Sequence, residues 1–176
     1  LTRVRDRFYG RFFVFYKSGK SKVGTTLLSI TLLFSAWSIF DLILWATNDP
    51  SAVMFFWSMQ ILLEPLIYLL SFYISYLFIK KSDLPFNLKL IATLLYAPVV
   101  VLLSSKFNLI GVNLSDCTAI ENFIAQYYTY ALELISVISI FVLTDREYRK
   151  NSDKTEKKEV MTFGLGIIAF LLAFSW

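Results

Sequence analysis

The chain predicts a polytopic transmembrane bundle of α-helices, on three observations. Hydrophobic residues make up 57% of its 176 residues and aromatics 18%, and the mean hydropathy is +0.62. The apolar residues form runs long enough to cross a hydrocarbon core of roughly 30 Å, which takes about 20 helical residues. Lys and Arg crowd into alternate gaps between those runs, the pattern left by loops retained on the cytoplasmic side. Strands of a membrane barrel would be shorter and alternate in polarity, so helices are the only spanning element that fits.

The opening segment, residues 1–23, carries Arg3, Arg5, Arg7, Arg11, Lys17, Lys20 and Lys22 among Phe8, Tyr9, Phe12, Phe13, Phe15 and Tyr16. Rings at headgroup depth with cations in water suit a cytoplasmic membrane interface. Its Lys17-Ser-Gly-Lys-Ser-Lys22 stretch lacks the glycine spacing and strand context of a phosphate loop. The first span is expected over residues 24–46, ending at the Asn48-Asp49-Pro50 turn, whose gap has no Lys or Arg. The second, 52–79, is longer than a perpendicular crossing needs and holds Pro65, so tilt or a kink is expected. Lys80, Lys81 and Lys89 follow it.

A third span is expected over 88–105, containing Pro98, and then a loop from Lys106 to Asn122 on the outer side. The fourth is expected over 123–144. Residues 145–159, dense in both charge signs, read as a helical extension or a solvated loop. A fifth run starts near Val160 and is cut at Trp176, inside apolar sequence. With residues 1–23 cytoplasmic, the spans alternate so that the strongly basic gaps lie inside and Trp176 lies near the outer face. Both ends read as cut, as in a piece of a longer polypeptide.

Function classes narrow quickly. The net charge of +4 is concentrated on one side of a bilayer, facing anionic headgroups, so it is no nucleic-acid signature. The single cysteine, Cys117, excludes an internal disulfide and is expected to be a partly shielded thiol in the outer loop. No histidine occurs, which removes His-based metal sites, general bases and phosphoacceptors. Neither a catalytic constellation nor a cofactor motif is present, so the chain is expected to be no enzyme and to carry no cofactor or metal.

Three acids fall within the spans: Asp41, Glu64 and Glu133. Placing an acid in hydrocarbon costs at least about 2.5–3.5 kcal/mol, so each needs a partner or a cavity. The topology puts Asp41 in the outer third of its span, and Glu64 and Glu133 near mid-membrane. Gln60 and Glu64 are four apart on one helix face; Gln126, Tyr130 and Glu133 share another. If the two faces converge, they line a polar cavity open to the outside, able to take a cationic or hydrogen-bonding ligand or a proton. The competing reading is packing glue, each Glu bonding a hydroxyl such as Ser29, Ser35, Ser38, Ser71, Ser75 or Ser136 on a neighbouring helix. For Asp41 a helix-end role at the interface competes. Trp37, Trp45 and Trp57 fit aromatic belts or lipid-facing packing better than a ligand cage. Pro65 and Pro98 are candidate hinges, or ordinary kinks.

The order of features is a basic segment with Phe15-Tyr-Lys-Ser-Gly-Lys-Ser-Lys-Val23, then Trp37, a short outer turn, Phe55-Phe-Trp57 and Glu64-Pro65. An outer loop, Tyr127-Tyr128, Glu133 and a charged inner loop before Val160 complete it. This resembles the N-terminal seven-transmembrane region of membrane histidine kinases, a bacterial sensory module. The resemblance implies that the chain supplies the second to sixth spans of such a region in a bacterial cytoplasmic membrane. It also implies that any kinase activity of a two-component system lies in other residues. The expected function is therefore a sensory, receptor-like module relaying an outside or intramembrane stimulus to a cytoplasmic output. Its expected partners are the lipid bilayer, a small ligand or proton, and a second copy or larger membrane assembly. A structural subunit of a membrane complex and a small ion- or proton-coupled carrier are the alternatives.

Overall fold

The computed structural model describes residues 21–113 and 118–174. Five helices and one hairpin follow in order: α1 (Lys22–Ala46), α2 (Pro50–Lys80), α3 (Phe86–Leu102), β1 (Leu109–Asn113), β2 (Thr118–Glu121), α4 (Phe123–Lys150) and α5 (Lys154–Phe174). Leu1–Lys20, Cys117 and Trp176, which carry the basic-aromatic segment, the thiol and the outer end expected above, lie outside the described residues.

Local chemistry sets the helix ends. Ser21 caps α1 by accepting from the Gly24 amide, and Asp49 caps α2 by accepting from Ser51 and Ala52, with Pro50 in the first turn. Asn122 caps α4 through Ile124, and Asp153 accepts from the Thr155 amide at the start of α5. At the far end of α2, Lys81 turns the chain in the left-handed region, φ 51°. Pro65 and Pro98 lie inside helices that run continuously past them.

Three helices, α1, α2 and α4, are long and apolar enough to cross a membrane. The third span expected at 88–105 is shorter: α3 has 17 residues, about 26 Å of helix, and ends at Leu102. There Ser105 donates its amide and hydroxyl to the Leu102 carbonyl and folds the chain into turns. The charged stretch 145–159 is helical on both sides of a break at 151–153, so α4 and α5 extend past the apolar runs that announced them. In the expected outer loop, β1 and β2 pair antiparallel, Val112 opposite Ala119 and Asn113 opposite Thr118, with a register irregularity between Leu109 and Gly111.

Helix α2 is the hub, packing against every other helix and both strands. Two apolar clusters hold the bundle. One joins Ile30, Ile67, Tyr68, Ile74, Ile140, Leu171 and Phe174; the other joins Leu44, Val53, Ile61, Val99 and Leu132 to the hairpin residues Leu109 and Ala119. Tyrosine hydroxyls strap helix to helix through backbone carbonyls: Tyr68 to Leu171 (3.0 Å), Tyr96 to Leu62 (2.9 Å) and Tyr128 to Leu95 (2.6 Å).

The outward faces are apolar, with Leu32, Leu42, Leu94, Val101, Leu134 and Phe141 all exposed. By contrast, Gln60, Ser71, Ser75, Thr129, Glu133 and Ser136 are buried. The ion pairs between elements gather at the end opposite the hairpin. There Lys22 and Lys89 pair with Asp83, Lys80 with Glu147, and Lys81 with Glu156.

Candidate functional site

One cavity of about 580 Å³ lies between α1, α2 and α4, bordered by β2 and the end of α5. Each element contributes by its helical spacing. From α1 come Trp37 and Asp41, four residues and one turn apart; from α2 come Trp57, Gln60, Ile61, Glu64 and Tyr68, a stripe at three- and four-residue steps. Helix α4 adds Thr129, Tyr130, Glu133 and Val137, and β2 adds Glu121.

Of the residues singled out by sequence, Asp41, Gln60, Glu64, Tyr130 and Glu133 all line this one cavity. Gln126 does not. Seven residues before Glu133, it sits about 10 Å further toward the hairpin, and its amide nitrogen is 3.3 Å from the Tyr130 hydroxyl. Asp41 is joined to α2, its Oδ1 accepting from Gln60 Nε2 at 3.4 Å. Pro65 also borders the cavity, directly after Glu64, whereas Pro98 lies on α3 beside a separate apolar pocket.

The hydroxyls available to glue the acids in place bond elsewhere. Ser29, Ser35, Ser38, Ser75 and Ser136 each donate to the carbonyl four residues back on their own helix. Ser71 Oγ is buried without a partner among the described residues. Glu64 and Glu133 therefore face the cavity with no hydrogen bond from a described residue, although Glu133 is only 8% exposed. They lie within electrostatic range of one another, and Glu121 is within range of both. Among the described residues no Lys or Arg lines the cavity, so four carboxyl groups give it a strongly acidic interior.

Three lining side chains escaped the sequence reading of the site. Glu121, which the sequence did not single out, is brought by the hairpin to Trp57, whose indole N–H donates to its Oε1 at 2.8 Å. Trp37 and Trp57, expected in aromatic belts, stand in the cavity wall instead. Trp37 packs edge-on to Phe174 with ring centroids 4.8 Å apart. Trp45 alone of the three is broadly exposed, at 84%. The signal for Trp57 was its step of three before Gln60 and seven before Glu64, which puts it on the acidic face of α2.

Comparison with protein-family models, curated proteins and solved structures finds no match to this chain. The site therefore rests on its own geometry. A second cavity of about 660 Å³ lies at the charged end, between Lys22, Leu77, Lys81, Asp83, Glu147 and Glu156. Those charges satisfy one another: Asp83 takes Lys22, Lys89 and the Tyr73 hydroxyl. Its carboxyl is held well below the usual carboxylate range, chiefly by the hydrogen bonds from Lys22, Lys89 and Tyr73. Unlike that cavity, the one around Glu64 and Glu133 is lined by acids without cations among the described residues.

Proposed function

We propose that this chain is a five-span membrane-embedded sensory module. In this reading the α2 hub carries a change in the acidic cavity to the charged end of the bundle. The single observation behind the proposal is that α2 bears both ends of such a relay. Glu64 and Gln60 line the cavity, while Lys80 and Lys81, four to five turns further along, pair with Glu147 on α4 and Glu156 on α5. A stimulus that prefers one of two bundle arrangements shifts the equilibrium by its differential affinity, and moving α2 exchanges those pairs. Pro65, next to Glu64, removes one backbone hydrogen bond from α2 and supplies the flexure point.

The apolar outward faces and the clustering of cations at one end support a bundle with that end in the cytoplasm and the hairpin outside. The resemblance to the sensory region of membrane histidine kinases supplies the class of output, a signalling domain elsewhere in the polypeptide. The neighbouring Glu64 and Pro65 in a central helix also suit a proton- or ion-coupled carrier. That second reading requires flux into vesicles that Glu64→Gln abolishes.

Two measurements on the full-length protein test the sensory reading. In a Cys117→Ser background, a cysteine at Thr47 should react with an impermeant thiol reagent on intact cells, and one at Ser82 only after permeabilisation. Spin labels at the charged ends of α2 and α4 should report a changed distance distribution in Glu64→Gln and Glu133→Gln. Identical distributions in these variants and the parent would sink the relay.

A further inference from the structure

The acidic cavity has a composition that selects among ligands, and this inference rests on the sensory reading above. Its carboxyl groups come from separate elements: Asp41 on α1, Glu64 on α2, Glu121 on β2 and Glu133 on α4. No three acids of the described residues group closely enough to hold a metal ion. Carboxyl groups are thus spread around the walls of a space far larger than a bare cation. Aromatic side chains, those of Trp37, Trp57, Tyr68 and Tyr130, line the same space.

Spread carboxylates interleaved with aromatic rings are what an organic cation needs. A substituted ammonium carries its charge under a skin of CH groups. Those groups gain from aromatic faces, and the charge gains from the ring quadrupole and nearby carboxylates. A hydrated metal ion gains little from the rings, and an anion would meet four acids. The second, independent pointer is Glu133. It is more than nine-tenths buried, lines the cavity, and receives no hydrogen bond from any described residue. A carboxyl that faces the cavity without a protein donor takes one from whatever fills the space, water or ligand.

We propose that the cavity bounded by Glu64, Glu133, Trp37 and Trp57 is a binding site for a small alkylammonium cation, with Glu133 and Glu64 opposite the positive charge and the indoles packing its alkyl groups. The shared chemistry is the substituted ammonium, whether on a free metabolite-sized amine or on a lipid headgroup.

The experiment uses full-length protein in nanodiscs of phosphatidylglycerol alone, which carries no ammonium. Choline and butylamine are titrated by calorimetry and tryptophan fluorescence, beside the neutral isostere of choline in which carbon replaces the quaternary nitrogen. The expected result is saturable binding of at least one amine, with the isostere weaker by on the order of tenfold or more. Glu133→Gln and Glu64→Gln should each weaken the amine by a similar factor. If the free amines are silent but phosphatidylethanolamine added to the discs saturates the fluorescence change, and Glu133→Gln removes it, the headgroup is the ligand. The proposal is overturned if no ammonium compound binds, or if the neutral isostere binds as well as choline. Equal binding of a cation by the parent and both Gln variants overturns it too. The isostere comparison is made on the parent protein, so it decides the matter even where a variant fails to fold. Distance changes at the charged end that persist in the Gln variants without any amine binding would leave the sensory module standing and remove only its ligand.

Discussion

Trp57 of α2 and Glu121 of β2 are joined by an indole-to-carboxylate hydrogen bond of 2.8 Å across 64 residues of chain. It fastens the hairpin to the hub helix directly over the acidic cavity. Replacing Trp57 with Phe keeps the ring packing and leaves the carboxylate without its donor. A hydrogen bond to a charged group contributes about 1.5–3 kcal/mol, and partial exposure of this one places the loss near the lower figure. The expected outcome is faster amide exchange across Leu109–Asn113 and Thr118–Glu121, with α4 little changed. Unaltered protection of the hairpin would show that the apolar contacts of Leu109 and Ala119 hold it alone.

The approach of α4 to α5 depends on a missing side chain. A Cβ on Gly164 would collide with the side chain of Thr144, including its Cβ at 3.0 Å, and Thr144 is itself buried and bonded back to the Ile140 carbonyl. Gly164→Ala is therefore expected to destabilise the bundle by about 1–3 kcal/mol. Combining it with Thr144→Ala should recover part of that loss, read as non-additive shifts in thermal unfolding in detergent. Additive shifts would mean the two helices separate freely. Gly166 has open space at the same test and should accept Ala without penalty.

Acid should leave the charged end intact over most of the accessible range. The Asp83 carboxyl is depressed below its ordinary value by its bonds to Lys22, Lys89 and Tyr73. A depressed acid contributes stability that is present above its unfolded pKa, roughly 4, and is lost only as pH falls through the lower folded value. A label pair spanning the start of α1 and the end of α2 should therefore keep its distance from neutral pH down to about 4. Asp83→Asn should loosen that contact at every pH. A transition in the parent near pH 6 would contradict the assignment.

Glu133 should trade stability for function. A buried acid without a hydrogen-bond partner is costly, on the order of 1–3 kcal/mol in protein contexts. Glu133→Leu is expected to raise the thermal midpoint while removing ammonium binding, a pattern common at functional sites. A lowered midpoint would identify Glu133 as a structural group instead.

Much of this architecture could be read from spacing alone. Runs of apolar residues and the turns at Asn48-Asp49-Pro50 and Asn122 located α1, α2 and α4, because helix caps and hydrophobic length are local properties. Helical period also puts Gln60 with Glu64, and Tyr130 with Glu133, on single helix faces; that the two faces meet depends on packing and stood in the sequence only as a condition. The hairpin was not legible, since Leu109–Glu121 lacks strict alternation and its pairing depends on docking Leu109 and Ala119 against Val53 and Ile61. Glu121 was missed as a consequence, its place in the site being set by that docking. The extensions of α4 and α5 past their apolar runs were also ambiguous. Lys80 and Lys81 pair there with Glu147 and Glu156 on other helices, contacts that spacing along the chain does not show.

The back-bonded hydroxyls of α1 have a mechanical consequence. Thr26, Ser29, Thr31, Ser35 and Ser38 all spend their donors on their own helix, so these hydroxyls do not donate to a neighbouring helix. Among the described residues, Lys22 to Asp83 ties α1 to the turn after the hub at one end, and Asp41 to Gln60 ties it to the hub near the other. Between them the hold is apolar packing, with Ile30, Leu33, Phe34 and Trp37 in one cluster with Ile67 and Tyr68. Apolar packing sets how close two rods lie more firmly than how they are rotated, so the bond at Asp41, part of the acidic cavity, acts as a rotational stop.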